Sequence, residues 1–389
     1  MGAGSTLPEV AVTERFASIG PMDEVRATAG DRPGGARLAA LLEAAPDLRQ
    51  AVIDSGEVAG VATGELVTYP YPTVFALWRA ALSPAPVVWL TARFLVVQWD
   101  EVARRGRRTA APRRRTLLWG AVDQDRAATT PAALRLGPRT LVPDRLLTTR
   151  HGTVLGHLRA LGIDAGDVDF VAVDHLQAQD LRRMLGTTRP APDLGVPDAP
   201  LPGWFPNATL VTSHREWESL RQLHPLQAPW YQPETFRDLD PDRVALVDGD
   251  AQLGPGVALI ATPGHTAGTM SLVLNTTEGV WVSSGNGVAA ESYAPRASRI
   301  AGLRRHAVEW GHDVVLNANT PERVGDHYDA MVLERSLADP SPEAPFPRCF
   351  PLGELTASRF APGLSPTHVH GHITSGTIRG GSVRTIAVA

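Results

Sequence analysis

Four short apolar segments of this chain each run directly into a turn crowded with His, Asp, Asn, Gln or Ser, and this repetition constrains the fold more than any other feature. Val168–Val173 leads into Asp174–Asp180, Val257–Ala261 into Thr262–Gly268, Val280–Ser283 into Ser284–Gly287, and Val314–Leu316 into Asn317–Thr320. The segments are rich in β-branched residues and of strand length. Sheets in mixed α/β proteins carry their functional groups at strand ends. Four polar strand ends therefore predict one shared polar cleft along a sheet edge.

The flanking segments fill in the rest. Val87–Trp99 and Thr116–Val122 predict a strand pair, and helical spacing predicts helices over Ala36–Ala51, Thr153–Leu161, Arg215–Leu223 and Ser298–Trp310. Thr209–Ser213 and Ser271–Leu274 read as further strands, and Asp313–Leu316 as the last of this block. Six prolines within 189–206 predict an irregular loop. Seven arginines in Arg104–Arg115 predict a solvated connection. The expected organisation is an N-terminal extension over 1–75, a main domain over 76–338, and a Pro-rich C-terminal extension over 339–389.

Composition removes several chemistries. All 37 basic side chains are arginine, so Schiff-base catalysis and a phosphate-binding lysine are excluded. A net charge of −4 points to neither nucleic acid nor anionic membrane. The single cysteine, Cys349, excludes an intrachain disulfide and a cysteine-rich metal site. The first residues do not read as a signal peptide, and no apolar run reaches the roughly 18 residues of a membrane span. A cytoplasmic protein is expected. Against this background the 12 histidines stand out, because neutral imidazole is a common metal ligand and proton carrier.

The runs GHLRALGIDAGDVDFVAVDHLQAQDL, FPNATLVTSHREWE, ALIATPGHTAGTMSLVL, SSGNG and DVVLNANTPE occur in this order over about Val87 to Met331. Together they resemble the metallo-β-lactamase superfamily, nearest its lactonase and esterase-like branch. The resemblance implies an αββα sandwich and hydrolysis of an ester, lactone or amide in a small molecule. It also implies metal ligands, and here the chain departs from the pattern. The family's first turn, His-x-His-x-Asp-His, falls on His175, Gln177, Gln179 and Asp180. The histidine of the second turn is kept as His265, whereas the bridging aspartate becomes Asn286 and the last histidine falls on Asn319.

Carboxamides bind transition metals poorly and bring no charge, so a dinuclear centre is not expected. His175, Asp180 and His265 remain as a set for one Zn or Fe ion, with Asp180 and His265 in catalytic roles. Asp180 reads nearly as well as a helix cap. Gln177, Gln179, Asn286, Asn319 and Arg182 are the expected substrate-binding groups. The tail adds His368, His370 and His372 in a strand-like alternation, with His370 a candidate replacement ligand. Two rival readings stand beside the hydrolase. One is a metal-independent member of the fold that binds or rearranges a small molecule in an amide-lined pocket. The other is a non-catalytic interaction protein. Trp204, Trp217, Trp230 and Tyr231 suit a homodimer contact, and the remaining histidines, His327 among them, read as ordinary surface or interface residues.

Overall fold

The computed structural model describes residues 7–28, 30–101, 104–105, 108–109, 112–136, 147–317, 321–342, 345–380 and 385–387. Two sheets face each other. The larger contains, in order, Val244–Val247, Thr209–Ser213, Phe170–Ala172, Arg113–Trp119, Val87–Glu101, Gly60–Pro72, Ser375–Arg379 and Thr385–Ala387. Gly353–Thr356 pairs with Val87–Glu101, and Thr149–Arg150 with Gly60–Pro72. The smaller sheet runs Ala17–Ser18, Ala251–Gly254, Val257–Ala261, Met270–Thr276, Gly279–Ser284 and Cys349–Pro351.

Alternation along the strands explains the layering. In Val257–Ala261, Val257 and Leu259 join Val97, Leu117 and Phe170 in the core between the sheets. Ala258 and Ile260 point the other way, onto Leu48, Val52, Leu333 and Leu337 of the helices Gly34–Asp54 and Val324–Leu337. Both faces are covered, so the strand reads as a continuous apolar run. The outer face of the larger sheet is covered in the same way by Val154 and Leu158 of helix Val154–Ala160 and by Trp217 of helix His214–Ser219. The chain thus forms the expected αββα sandwich.

Several local expectations change. Residues on both sides of position 75 share one sheet, because Gly60–Pro72 pairs along its length with Val87–Glu101. The segment beyond 338 likewise supplies Cys349–Pro351 to one sheet and Gly353–Thr356 to the other. The sandwich is therefore assembled from all three expected parts. The Pro-rich stretch forms a bulged antiparallel pair, Gly186–Ala191 with Val196–Pro202. Proline is tolerated there because a two-stranded ribbon leaves one side of each strand without ladder partners. Asp313–Leu316 is not a strand; Val315 N–H donates to Ser292 O, and Leu316 O accepts from Trp78 N–H. Trp217 and Tyr231 are buried in the core and are not available for a dimer contact. No described helix is long and apolar enough to cross a membrane.

Candidate functional site

Three of the four polar turns converge, and their side chains hold one another. The fourth contributes Asn317, while Asn319 lies outside the described residues. Ring centroids of His175 and His265 are 4.5 Å apart in an edge-to-face arrangement. The ring of His265 is clamped on both sides, with Nδ1 2.9 Å from Asn317 Oδ1 and Nε2 3.0 Å from Gln177 Oε1. Each amide is oriented by its own donor contact. Asn317 Nδ2 donates to Gly285 O, and Gln177 Nε2 donates to Gln227 Oε1, whose own Nε2 donates to Glu322 Oε1. Burial first, then the proximity of His175 and His327, holds the His265 pKa well below the ordinary imidazole value, against the contact with Asn317.

His175 has the opposite environment. Its Nδ1 lies 2.9 Å from Asp174 Oδ1, and its side chain is 15% exposed while that of Asp174 is 4% exposed. Burial opposes a charged ring, but the attraction of Asp174, with a smaller contribution from Glu216, outweighs it and raises the His175 pKa. The fit beneath this pair is close. A Cβ on Gly285 would lie 2.4 Å from Asp174 Oδ2, so the turn after Gly279–Ser284 must carry glycine there.

A layer of buried carboxylates fixes the turns from behind. Glu216 accepts from Leu176 N–H, Tyr231 Oη–H and Thr266 Oγ1–H, tying the first turn to the second. Gly268 permits this, because a Cβ there would come within 2.3 Å of Glu216 N. Glu334 accepts from Ser271, Asn286 Nδ2 and Tyr293, and burial raises its pKa. Asn286 Oδ1 accepts from His265 N–H, and Asn286 O from His327 Nε2. His327 is thus a buried member of the site rather than a surface residue, with its pKa pushed down to about 4 chiefly by burial.

The other expected site residues are placed differently. Asp180 is buried, with Oδ1 accepting from Arg182 Nε and Oδ2 from Arg126 Nε and the Arg182 terminal nitrogen, all at 2.8–2.9 Å. Burial opposes its charge, but Arg182 and Arg126 prevail and hold its pKa below the carboxylate range. Asp180 is therefore the anchor of an ion-pair cluster completed by Asp193. Its cap-like contact to Arg182 N–H is also present. Arg182 is saturated by Asp180 and Asp193, which removes it as a free substrate anchor. Gln179 is buried with Oε1 lacking a partner. His370 lies against Trp281, Phe350 and His368, and residues 368–374 form no strand, so none of its described contacts reaches His175 or His265.

A metal centre of the kind the motif resemblance implies does not fit this donor set. Both nitrogens of His265 face amide oxygens, Asp180 is neutralised by two guanidiniums, and among the described residues no group of three or more His, Cys, Asp or Glu could hold an ion. Sequence reasoning missed Asp174, Glu216, Gln227, Asn317, Glu322 and Glu334 as parts of the site. Asp174 and Asn317 stood inside the polar turns and could have been found there; the others come from helices and loops far along the chain.

No protein-family model and no curated protein sequence matches the chain. Among solved structures it is similar to a mutant of AiiA from B. thuringiensis with N-decanoyl-L-homoserine bound at its active site, at 17% identity, covering 66% of this chain and 90% of that one, with a TM-score of 0.41. It is also similar to a probable metal-dependent hydrolase from Staphylococcus aureus, at 11% identity, 71% and 85% coverage and a TM-score of 0.47. A third is AidC, a dizinc quorum-quenching lactonase in complex with a product, at 11% identity, 80% and 97% coverage and a TM-score of 0.44.

Proposed function

We propose that the protein is a metal-independent hydrolase of a small-molecule ester or lactone, in which His175 is the general base and Asp174 positions it. The observation that carries this reading is the 2.9 Å approach of Asp174 Oδ1 to His175 Nδ1 on a ring that keeps partial exposure. With Nδ1 beside the carboxylate, Nε2 is the nitrogen left to take a proton from an attacking water. Asp174 stabilises the imidazolium that results, and the same nitrogen returns the proton to the departing alkoxide. A raised pKa suits a base working near neutrality. His265 is held neutral by burial, so its single ring N–H donates to one of the two flanking amide oxygens, and, packed edge-to-face against His175, it is a positioning residue that keeps that ring in place. The ester or lactone as substrate class rests on the motif resemblance of the turns.

The test is turnover of a panel of aryl esters and lactones by protein exhaustively treated with chelator. Activity that survives chelation and falls roughly 100-fold or more in His175→Ala supports the reading, in line with the usual contribution of a general base. Activity that vanishes on chelation and returns with added zinc, or that is unchanged in His175→Ala, overturns it.

A further inference from the structure

A cleft of about 710 Å3 opens beside the histidine site, on the far side of the loop 262–269. Its walls are the N-terminal segment around Asp23–Ala27, helix Gly34–Asp54, and the start of helix Val324–Leu337. Val25, Leu41 and Leu333 give it an apolar side, and four arginines enter it. Two of these are neutralised: Arg26 by Asp250, and Arg37 by Asp326 and Asp329.

The other two are less fully paired. Arg323 shares Asp326 with Arg37, and its Nε is buried without a hydrogen-bond partner. Arg215 has no ion pair among the described residues, and it lies close enough to Arg323 for the two cations to repel. Asp23 and Asp248 also line the cleft, yet neither is paired with these two arginines among the described residues. Arg323, whose one carboxylate is shared with Arg37, and Arg215, with none among the described residues, form an incomplete ion-pair cluster in a concave, partly apolar space. A planar or tetrahedral anion would complete it, because guanidinium presents forked donors to either. The volume lies within the range of small-molecule pockets.

We infer that this cleft binds a small organic anion, its carboxylate or phosphate held by Arg215 and Arg323 and its apolar body lying against Val25, Leu41 and Leu333. The site is separate from His175, though it shares the loop that carries His265. Calorimetric titration of the full chain with 4-phenylbutyrate, phenyl phosphate and the neutral 4-phenylbutanol tests it. Saturable binding of one or both anions is expected, about tenfold or more tighter than the alcohol, and weakened by about tenfold in Arg215→Gln and Arg323→Ala; the stronger anion identifies the headgroup. His175→Gln should bind like the unaltered protein. Should Arg323→Ala fail to fold, Arg215→Gln decides alone, being a substitution at an exposed position. Absence of saturable binding, equal binding of the alcohol, unchanged affinity in the folded arginine variants, or loss of binding in His175→Gln would each overturn the assignment.

Discussion

The molecule contains two histidine pairs of nearly the same geometry. His175 and His265 have ring centroids 4.5 Å apart at 77°, and His368 and His370 have centroids 4.9 Å apart at 85°. Their surroundings differ. The first pair sits at strand ends with Asp174 on one ring and amides on the other. The second lies among aromatic rings, His368 stacked on Phe346 and His370 edge-on to Trp281. Their titration differs accordingly, with His175 raised by its carboxylate and His370 pushed down to about 3 by burial and by the charges of His368 and Arg93. Ring spacing alone therefore says little about chemistry; the nearest carboxylate decides which imidazole can carry a proton.

The largest expected effect that would break this contrast comes from Asp174→Ala. Removing one partner of a buried charged pair should cost about 3 kcal/mol, read from denaturant unfolding. A loss no larger than that of a surface substitution would show that Asp174 does not govern His175. Next in size is acid sensitivity. His327 has a folded pKa of about 4 against an ordinary 6.5, so the unfolded chain binds more protons between these values. Each tenfold drop in proton affinity on folding is worth about 1.4 kcal/mol, which gives His327 a contribution of about 3 kcal/mol. That contribution is complete above the ordinary value and is lost as pH falls toward 4. His327→Gln should flatten the stability profile across that window.

His175 has the opposite sign. Its stabilisation is complete below the ordinary imidazole pKa and is lost as pH rises through the raised folded value. In NMR titration its ring should titrate later than a free imidazole, and Asp174→Asn should move that midpoint down, because the attraction of Asp174 is what raises it. The smallest effect is expected at the second pair. His370 is neutral, buried and leaves Nε2 unpartnered, so His370→Phe should change stability by less than about 1 kcal/mol. A severe loss there would mean that the ring holds a polar role its aromatic cage does not suggest.

Much of the architecture was legible because strand alternation and strand-end polarity are local signals. Val257–Ala261 has the same bounds in sequence and structure, and the turns alone place His175, Gln177, His265 and Asn286 in one cleft. The error at Asp180 has a different origin. Its carboxylate is held first by Arg182, two residues on, and then by Arg126, which is 54 residues away in a separate helix and has no local mark in the sequence. Glu216, Gln227, Glu322 and Glu334 escaped for the same reason, since each reaches the cleft through tertiary packing. The Pro-rich ribbon was misread because a proline count says nothing about which edge of a strand needs its N–H groups.

The pairing of Gly353–Thr356 with Trp89–Ala92, near the start of Val87–Glu101, also bears on how the chain is made. During synthesis the early strands emerge roughly 250 residues before that partner, which at about 5–20 residues per second is a delay of some tens of seconds. Throughout it an apolar strand edge waits unpaired. Such edges recruit other chains, so the nascent protein is expected to depend on holding factors and to aggregate when translation stalls between these segments.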